Sequence, residues 1–161
     1  MDTRTGGVRH RTGERPAADR EPAQRQPALL GSLTIPGRPD HVTHARAFIT
    51  RALSRLPAVD SDAATLMTSE LVTNAIQHTR SGAGGMVTVL VTELPGGALI
   101  EVTDDGAAGA PIVKSDVYTA EGHGLYLVQQ LAAQWGYLRA AEGTTVWFHV
   151  PAAGTLDALS T

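Results

Sequence analysis

The 161-residue chain predicts an α+β domain: a two-layer sandwich in which a mixed, mostly antiparallel sheet of about five strands carries three helices on one face. Three observations lead there. Apolar residues keep helical spacing through two consecutive runs, one from Asp40 to about Leu56 and one from near Asp60 to Thr79. Two strand-like runs joined by Pro95-Gly96-Gly97 follow, and a second strand pair closes the chain. Between the pairs, a third helical run opens at Gly122-His123-Gly124. Strands joined by turns this short pair antiparallel, which leaves the helices to cover one face.

Composition bounds the function. Hydrophobic residues make up 42% of the chain and aromatic residues only 4%, enough for one domain with a proper core. The net charge of −3 argues against general nucleic-acid binding. The absence of cysteine removes disulfides, thiolate metal sites and a thiol nucleophile together, and fits a reducing compartment. No apolar run approaches membrane-spanning length and no signal-peptide core opens the chain, so a cytoplasmic protein is expected.

Residues 1–30 are polar and rich in Arg, Pro and Gly, with a net charge of +2 against −5 for the remainder. Such a segment buries too little surface to offset its ordering entropy and reads as a disordered tail. The folded domain is expected over 31–151, followed by a flexible tail over 152–161. Ser32-Leu33-Thr34-Ile35 alternates as a strand and stops at Pro36-Gly37. In the first helix Val42, Ala45, Phe48, Ile49, Ala52, Leu53 and Leu56 form the apolar stripe, with Asp40 as its N-cap and Pro57 at its exit. Asp60 or Ser61 caps the second helix, which Ser81 to Gly85 ends. Strands are expected over Met86–Leu94 and Ala98–Val102. A long irregular stretch to about Glu121 then reads as a functional loop. In the third helix Leu125, Leu127, Val128, Leu131 and Ala132 form the buried face and Gly136 is the breaker. Trp135–Ala140 and Thr144–Val150 form the last strand pair.

Several chemistries are excluded. Lys114 is the only lysine and follows no glycine-rich loop, so there is no P-loop. Gly122-His123-Gly124 lacks the third glycine and the strand that a dinucleotide fingerprint needs. No serine sits in a nucleophile elbow. His41 and His44 are three apart on a helix, but no third histidine or carboxylate completes a metal site.

What remains is an ordered set. Glu70, Asn74 and His78 fall within roughly 80° of arc on the second helix, at the edge of a core stripe formed by Met67, Leu71, Val72, Ala75 and Ile76. Asp104-x-Gly106 closes a strand, Gly122-x-Gly124-Leu125 opens a helix, and Gly143-Thr144-Thr145 precedes the final strand. Each element alone is weak; their order and spacing are not.

From Leu33 to Val150 the chain resembles the GHKL family of ATP-binding domains, shared by histidine kinases, gyrase-type ATPases, mismatch-repair ATPases and anti-sigma-factor kinases. Glu70 to His78 resembles the N box and Asp104-Asp105-Gly106 the first glycine box. Gly122 to Val128 resembles the second, and Gly143 to Phe148 the terminal segment. The compact length and the wording Ser69-Glu70-Leu71-Val72-Thr73-Asn74-Ala75 are most similar to the single-domain anti-sigma-factor serine/threonine kinases. The resemblance implies ATP and Mg²⁺ as cofactors, with Asn74 as the metal ligand and Glu70 as the base. It implies that Asp104 accepts from the adenine amino group, and that Gly106 lets the base approach the backbone. Gly122, His123, Gly124 and Leu125 would present amides to the phosphates, and Thr144 or Thr145 would close the pocket. For His78 two readings stand, phosphate orientation or a plain helix-end histidine.

The expected partners are an antagonist protein as phosphate acceptor and a sigma-factor-like transcription regulator, with a homodimer as the family's usual state. Ala108 stands where the family often has a second glycine, which touches the hinge of the loop rather than the adenine contact. Three activities compete: a serine/threonine kinase, an ATP-gated binding module without catalysis, and a detached histidine-kinase ATPase domain. The third lacks an adjoining phosphoacceptor helix.

Overall fold

The computed structural model describes residues 26–106 and 123–155. Expectations for the tail before residue 26, the loop over 107–121, Gly122 and the residues after 155 lie outside them. The chain runs through β1 (Ala28–Pro36), a 3-10 turn (Pro39–His41), α1 (Val42–Leu53), α2 (Ser61–His78), a second 3-10 turn (Arg80–Ala83), β2 (Met86–Leu94), β3 (Gly97–Asp104), α3 (His123–Leu131), β4 (Gln134–Ala140) and β5 (Gly143–Pro151). The strands form one sheet in the order β1-β2-β3-β5-β4. Every pairing is antiparallel, so the mixed character expected from sequence is absent among the described residues. Because β5 returns to lie beside β3, Asp104 at the end of β3 sits opposite Thr144 at the start of β5.

Strand alternation explains the core. Residues directly opposite across antiparallel strands share a face. The rows Leu33–Val89–Val102–Val146 and Val91–Ile100–Phe148 therefore point the same way, and all but the half-buried Leu33 are buried. Onto this face α1 brings Ala45, Phe48, Ile49, Ala52 and Leu53, α2 brings Ala64, Met67, Leu71, Val72 and Ala75, and α3 brings Leu125 and Val128. The opposite face is bound by polar cross-strand pairs: the Thr34 and Thr88 hydroxyls lie 3.0 Å apart and those of Thr103 and Thr145 2.8 Å apart.

Some boundaries differ from the sequence reading. β1 begins at Ala28, ahead of the expected strand, because its backbone pairs with β2 as far as Glu93 through a bulge between Leu29 and Gly31. Asp40 is not the N-cap of α1. Pro39 starts a 3-10 turn that carries the chain into helical dihedrals by His41. The Asp40 carboxylate turns outward to Arg38, with Nε to Oδ1 at 3.2 Å. Asp60 does cap α2, accepting from the Ala63 amide at 2.9 Å. That helix ends at His78, and the Thr79 hydroxyl accepts from the Ser81 amide as the chain enters the second 3-10 turn. Gly136 is not a helix breaker: α3 ends at Leu131, and Gly136 lies within β4, where a Cβ would run into the Trp147 indole on the neighbouring strand. Leu131, expected in the core, is 44% exposed because the helix stops there.

Candidate functional site

The site has two sides, one on a helix and one at a strand end. On α2, Met67, Leu71 and Ala75 are buried, which fixes the rotation of the helix. Glu70 and Asn74 consequently lie at the margin of the core, both half-buried. His78 is the last residue of the helix and is exposed. The three stand in one column, as i, i+4, i+8 spacing on an α-helix requires, with polarity preserved at the core's edge.

The second side is built around Asp104. Its Oδ1 accepts the Gly106 amide at 2.6 Å, closing an Asx turn. The turn needs Gly106 at φ +83°, a left-handed conformation, and brings it against the Gly143 backbone, where a Cβ on Gly143 would collide with the Asp104 carbonyl. With Oδ1 committed, Oδ2 is the Asp104 oxygen without a place in this turn. Burial pushes the Asp104 carboxyl above the ordinary carboxylate value of 3.8, and the neighbouring Asp105 charge adds to the rise. The Gly106 and Thr144 amides act in the opposite direction. Thr144 is only 6% exposed and shares the face of Asp104. Thr145 points to the other face and holds Thr103. The geometry thus separates two residues that the sequence left equivalent: Thr144, not Thr145, stands beside Asp104. In the same row β4 places Arg139 opposite Thr144.

The two sides are joined directly. The Arg80 amide, just past the end of α2, donates to the Gly106 carbonyl at 3.0 Å. Ser81, read from sequence only as the start of the helix stop, and Asp105, read only as the middle of the first glycine box, add further bonds at this junction. The signal was present in their adjacency to the helix end and to Asp104, but nothing in a one-dimensional pattern shows that the two meet. α3 packs against α2, anchored by the buried Leu125 and Val128, and its first residues are His123 and Gly124.

One groove among the described residues lies apart from this set. A groove of about 290 Å³ is lined by Pro39, Val42, Thr73, Ile76 and Gln77, between the start of α1 and α2. Its lining includes neither a carboxylate nor any member of the Glu70, Asn74, Asp104 set, so the chemistry does not follow it. Among the described residues no cluster of three or more His, Asp or Glu side chains could hold a metal ion; the Nδ1 atoms of His41 and His44 lie 3.1 Å apart, and His41 Nε2 lies 4.0 Å from Asp40 Oδ2. A magnesium ion bridging phosphates needs no such cluster, since it keeps most of its waters and takes one or two protein oxygens. Asn74 supplies an oxygen of that kind.

The family model for the histidine kinase-like ATPase domain matches residues 35–150. The chain belongs to this family. Among solved structures it is similar to the RsbU and RsbW domains of Rv1364c from Mycobacterium tuberculosis, with a TM-score of 0.56 and 19% identity. That match covers 76% of this chain and 32% of the other, so the chain spans about a third of the length of that structure. No curated protein matches the chain. Among the described residues no helix is long and apolar enough to cross a membrane.

Proposed function

We propose that the chain is an ATP-binding regulatory kinase that transfers the γ-phosphate of ATP, with Mg²⁺, to a serine or threonine of an antagonist protein, and that it controls a sigma-factor-like transcription regulator in the cytoplasm. The observation that carries the reading is the strand-end carboxylate Asp104. It is half-buried, held by the Gly106 amide through one oxygen, flanked by Thr144 and bonded through Gly106 to the end of the helix that bears Glu70 and Asn74. In this reading Asp104 accepts from the adenine amino group and Thr144 borders the base. Asn74 offers its amide oxygen to magnesium, and the amides of His123 through Leu125 at the start of α3, together with that of Gly122, would meet phosphate oxygens. Glu70 takes the proton of the incoming hydroxyl as its oxygen bonds to the γ-phosphorus and ADP departs with the bridging oxygen. His78, exposed at the helix end, stays open to both readings, phosphate orientation or a plain helix-end histidine.

The solved structure it is similar to holds an RsbW domain beside an RsbU domain, which supports a reading in which this fold works together with a partner domain. The alternative is an ATP-gated partner-binding module without catalysis; Glu70 would occupy the same place in it. Incubation with labelled ATP, magnesium and a candidate antagonist separates the two. Transfer that disappears in Glu70→Gln while ATP binding persists supports the kinase. Unchanged transfer in that variant removes Glu70 as the base, and ATP binding without transfer to any antagonist supports the binding module.

A further inference from the structure

Two residues outside the family motifs' assigned roles meet where the halves of the site join. The Ser81 hydroxyl is fully used: it donates to the Met86 carbonyl at 2.7 Å and accepts the Asp105 amide at 2.9 Å. Ser81 is completely buried. The Asp105 carboxylate accepts the Met86 amide at 2.7 Å through Oδ2. Serine, aspartate and Met86 thus close a three-bond ring linking the exit of α2, the first residue of β2 and the turn after β3. One residue away on each segment, the Arg80 amide donates to the Gly106 carbonyl at 3.0 Å. The corner leaves no slack, for a Cβ on Gly85 would collide with Asp105 Oδ2.

This ring contributes more than cohesion. Apart from this ring and the Arg80–Gly106 bond, α2 and β3 meet through apolar packing, which resists separation but specifies direction poorly, whereas short hydrogen bonds around the buried Ser81 hydroxyl fix position. We infer that Ser81 and Asp105 are positioning residues for nucleotide: they set the distance and angle between the Glu70–Asn74 column and Asp104, and thereby the adenine selectivity of the site. The inference rests on the nucleotide-site reading above. Neither residue touches the nucleotide. Asp105 acts through the backbone of the turn, its carboxylate turned to Met86 while Asp104 faces the site.

The test is nucleotide affinity and base selectivity of the full chain, measured by titration with ATP and GTP at a temperature where each variant is folded by circular dichroism. Ser81→Ala removes two of the three ring bonds and Asp105→Ala the carboxylate bond. Each is expected to weaken ATP binding about tenfold, the worth of one displaced hydrogen bond, and to narrow the ATP-over-GTP preference by a similar factor. Asp105→Asn keeps an oxygen for the Met86 amide and is expected to recover ATP affinity to within about threefold of the parent. A purely structural ring would lower the melting temperature of Ser81→Ala and Asp105→Ala while leaving the affinity and the ATP-to-GTP ratio of the folded protein unchanged, and that result would overturn the inference. If the parent chain itself binds neither nucleotide, the nucleotide-site reading fails first. Parent binding with intact selectivity in both alanine variants defeats the positioning role alone.

Discussion

Replacing Asp104 by asparagine tests how the site chooses its base. In the parent, Gly106 donates to Oδ1 at 2.6 Å and the Thr144 amide also bonds the carboxylate; in the proposed reading the carboxylate accepts the adenine amino group as well. Asparagine has one oxygen, and the Gly106 amide, fixed in the turn by its φ of +83°, requires it. The side-chain NH₂ is then turned toward the base, donor against donor. A hydrogen bond to a charged acceptor is worth about 1.5–3 kcal/mol, so ATP affinity should fall by about 10- to 150-fold. Inosine triphosphate carries an oxygen where adenine carries the amino group and accepts from the new NH₂, so its affinity should rise relative to ATP. The assay is calorimetric titration with ATP and inosine triphosphate in parallel. The same substitution removes a carboxylate whose charged form is disfavoured by burial, so the ligand-free variant should melt no lower than the parent at neutral pH. Equal losses for both nucleotides, or an unchanged ATP affinity, would refute the assignment of Asp104 to the base.

Other expectations follow from the same structure. Because Asp104 is raised above 3.8, ATP affinity should decline on acidification at a higher pH than an ordinary carboxylate would give, as the acceptor protonates; an affinity profile from pH 7 down to the acid limit of stability checks this. The sign for folding is opposite: the stability contributed by this group is fully present below its unfolded value and is lost as pH rises through its raised native value. Thr68 lies on the core-facing side of α2, is completely buried, and its hydroxyl finds no hydrogen-bond partner among the described residues. Thr68→Val, close in shape, should stabilise the fold by about 1 kcal/mol in urea unfolding, while a loss would show that the hydroxyl has a partner. Asp60→Ala removes the cap on the Ala63 amide and should cost about 1 kcal/mol, whereas Asp40→Ala, which caps nothing, should change stability by less than about 0.5 kcal/mol in the same assay.

The helices and strands were legible because their patterns are local. The stripe on α2 fixes which side of that helix is buried, and the alternation in β2 and β5 fixes which side of the sheet it meets, so the column of Glu70, Asn74 and His78 could be placed at the core's edge before any coordinates. Boundaries were less legible where two local signals compete. Asp40 has the chemistry of a cap, but Pro39 begins the turn one residue earlier. Gly136 has the chemistry of a breaker, but its missing side chain makes room for Trp147 across the strand pair. The long-range features were not legible. Thr144 and Thr145 are neighbours with the same hydroxyl, and only the pairing of β3 with β5 assigns one to Asp104 and the other to Thr103. Ser81 and Asp105 are 24 residues apart, and their meeting depends on β2 and β3 folding back as a hairpin beneath the end of α2.

In the proposed function, α2 and the β3–β5 end are the two sides of one ATP site. Titration of the isotope-labelled full chain with magnesium and ATP, followed by amide NMR, tests it most directly. Saturable shifts are expected at Asp104–Gly106 and Thr144, and at Asn74 and its neighbours on α2, with the same apparent affinity at all of them. Shifts confined to the groove at Pro39, Val42 and Ile76, or no saturable shifts with millimolar ATP, would contradict it.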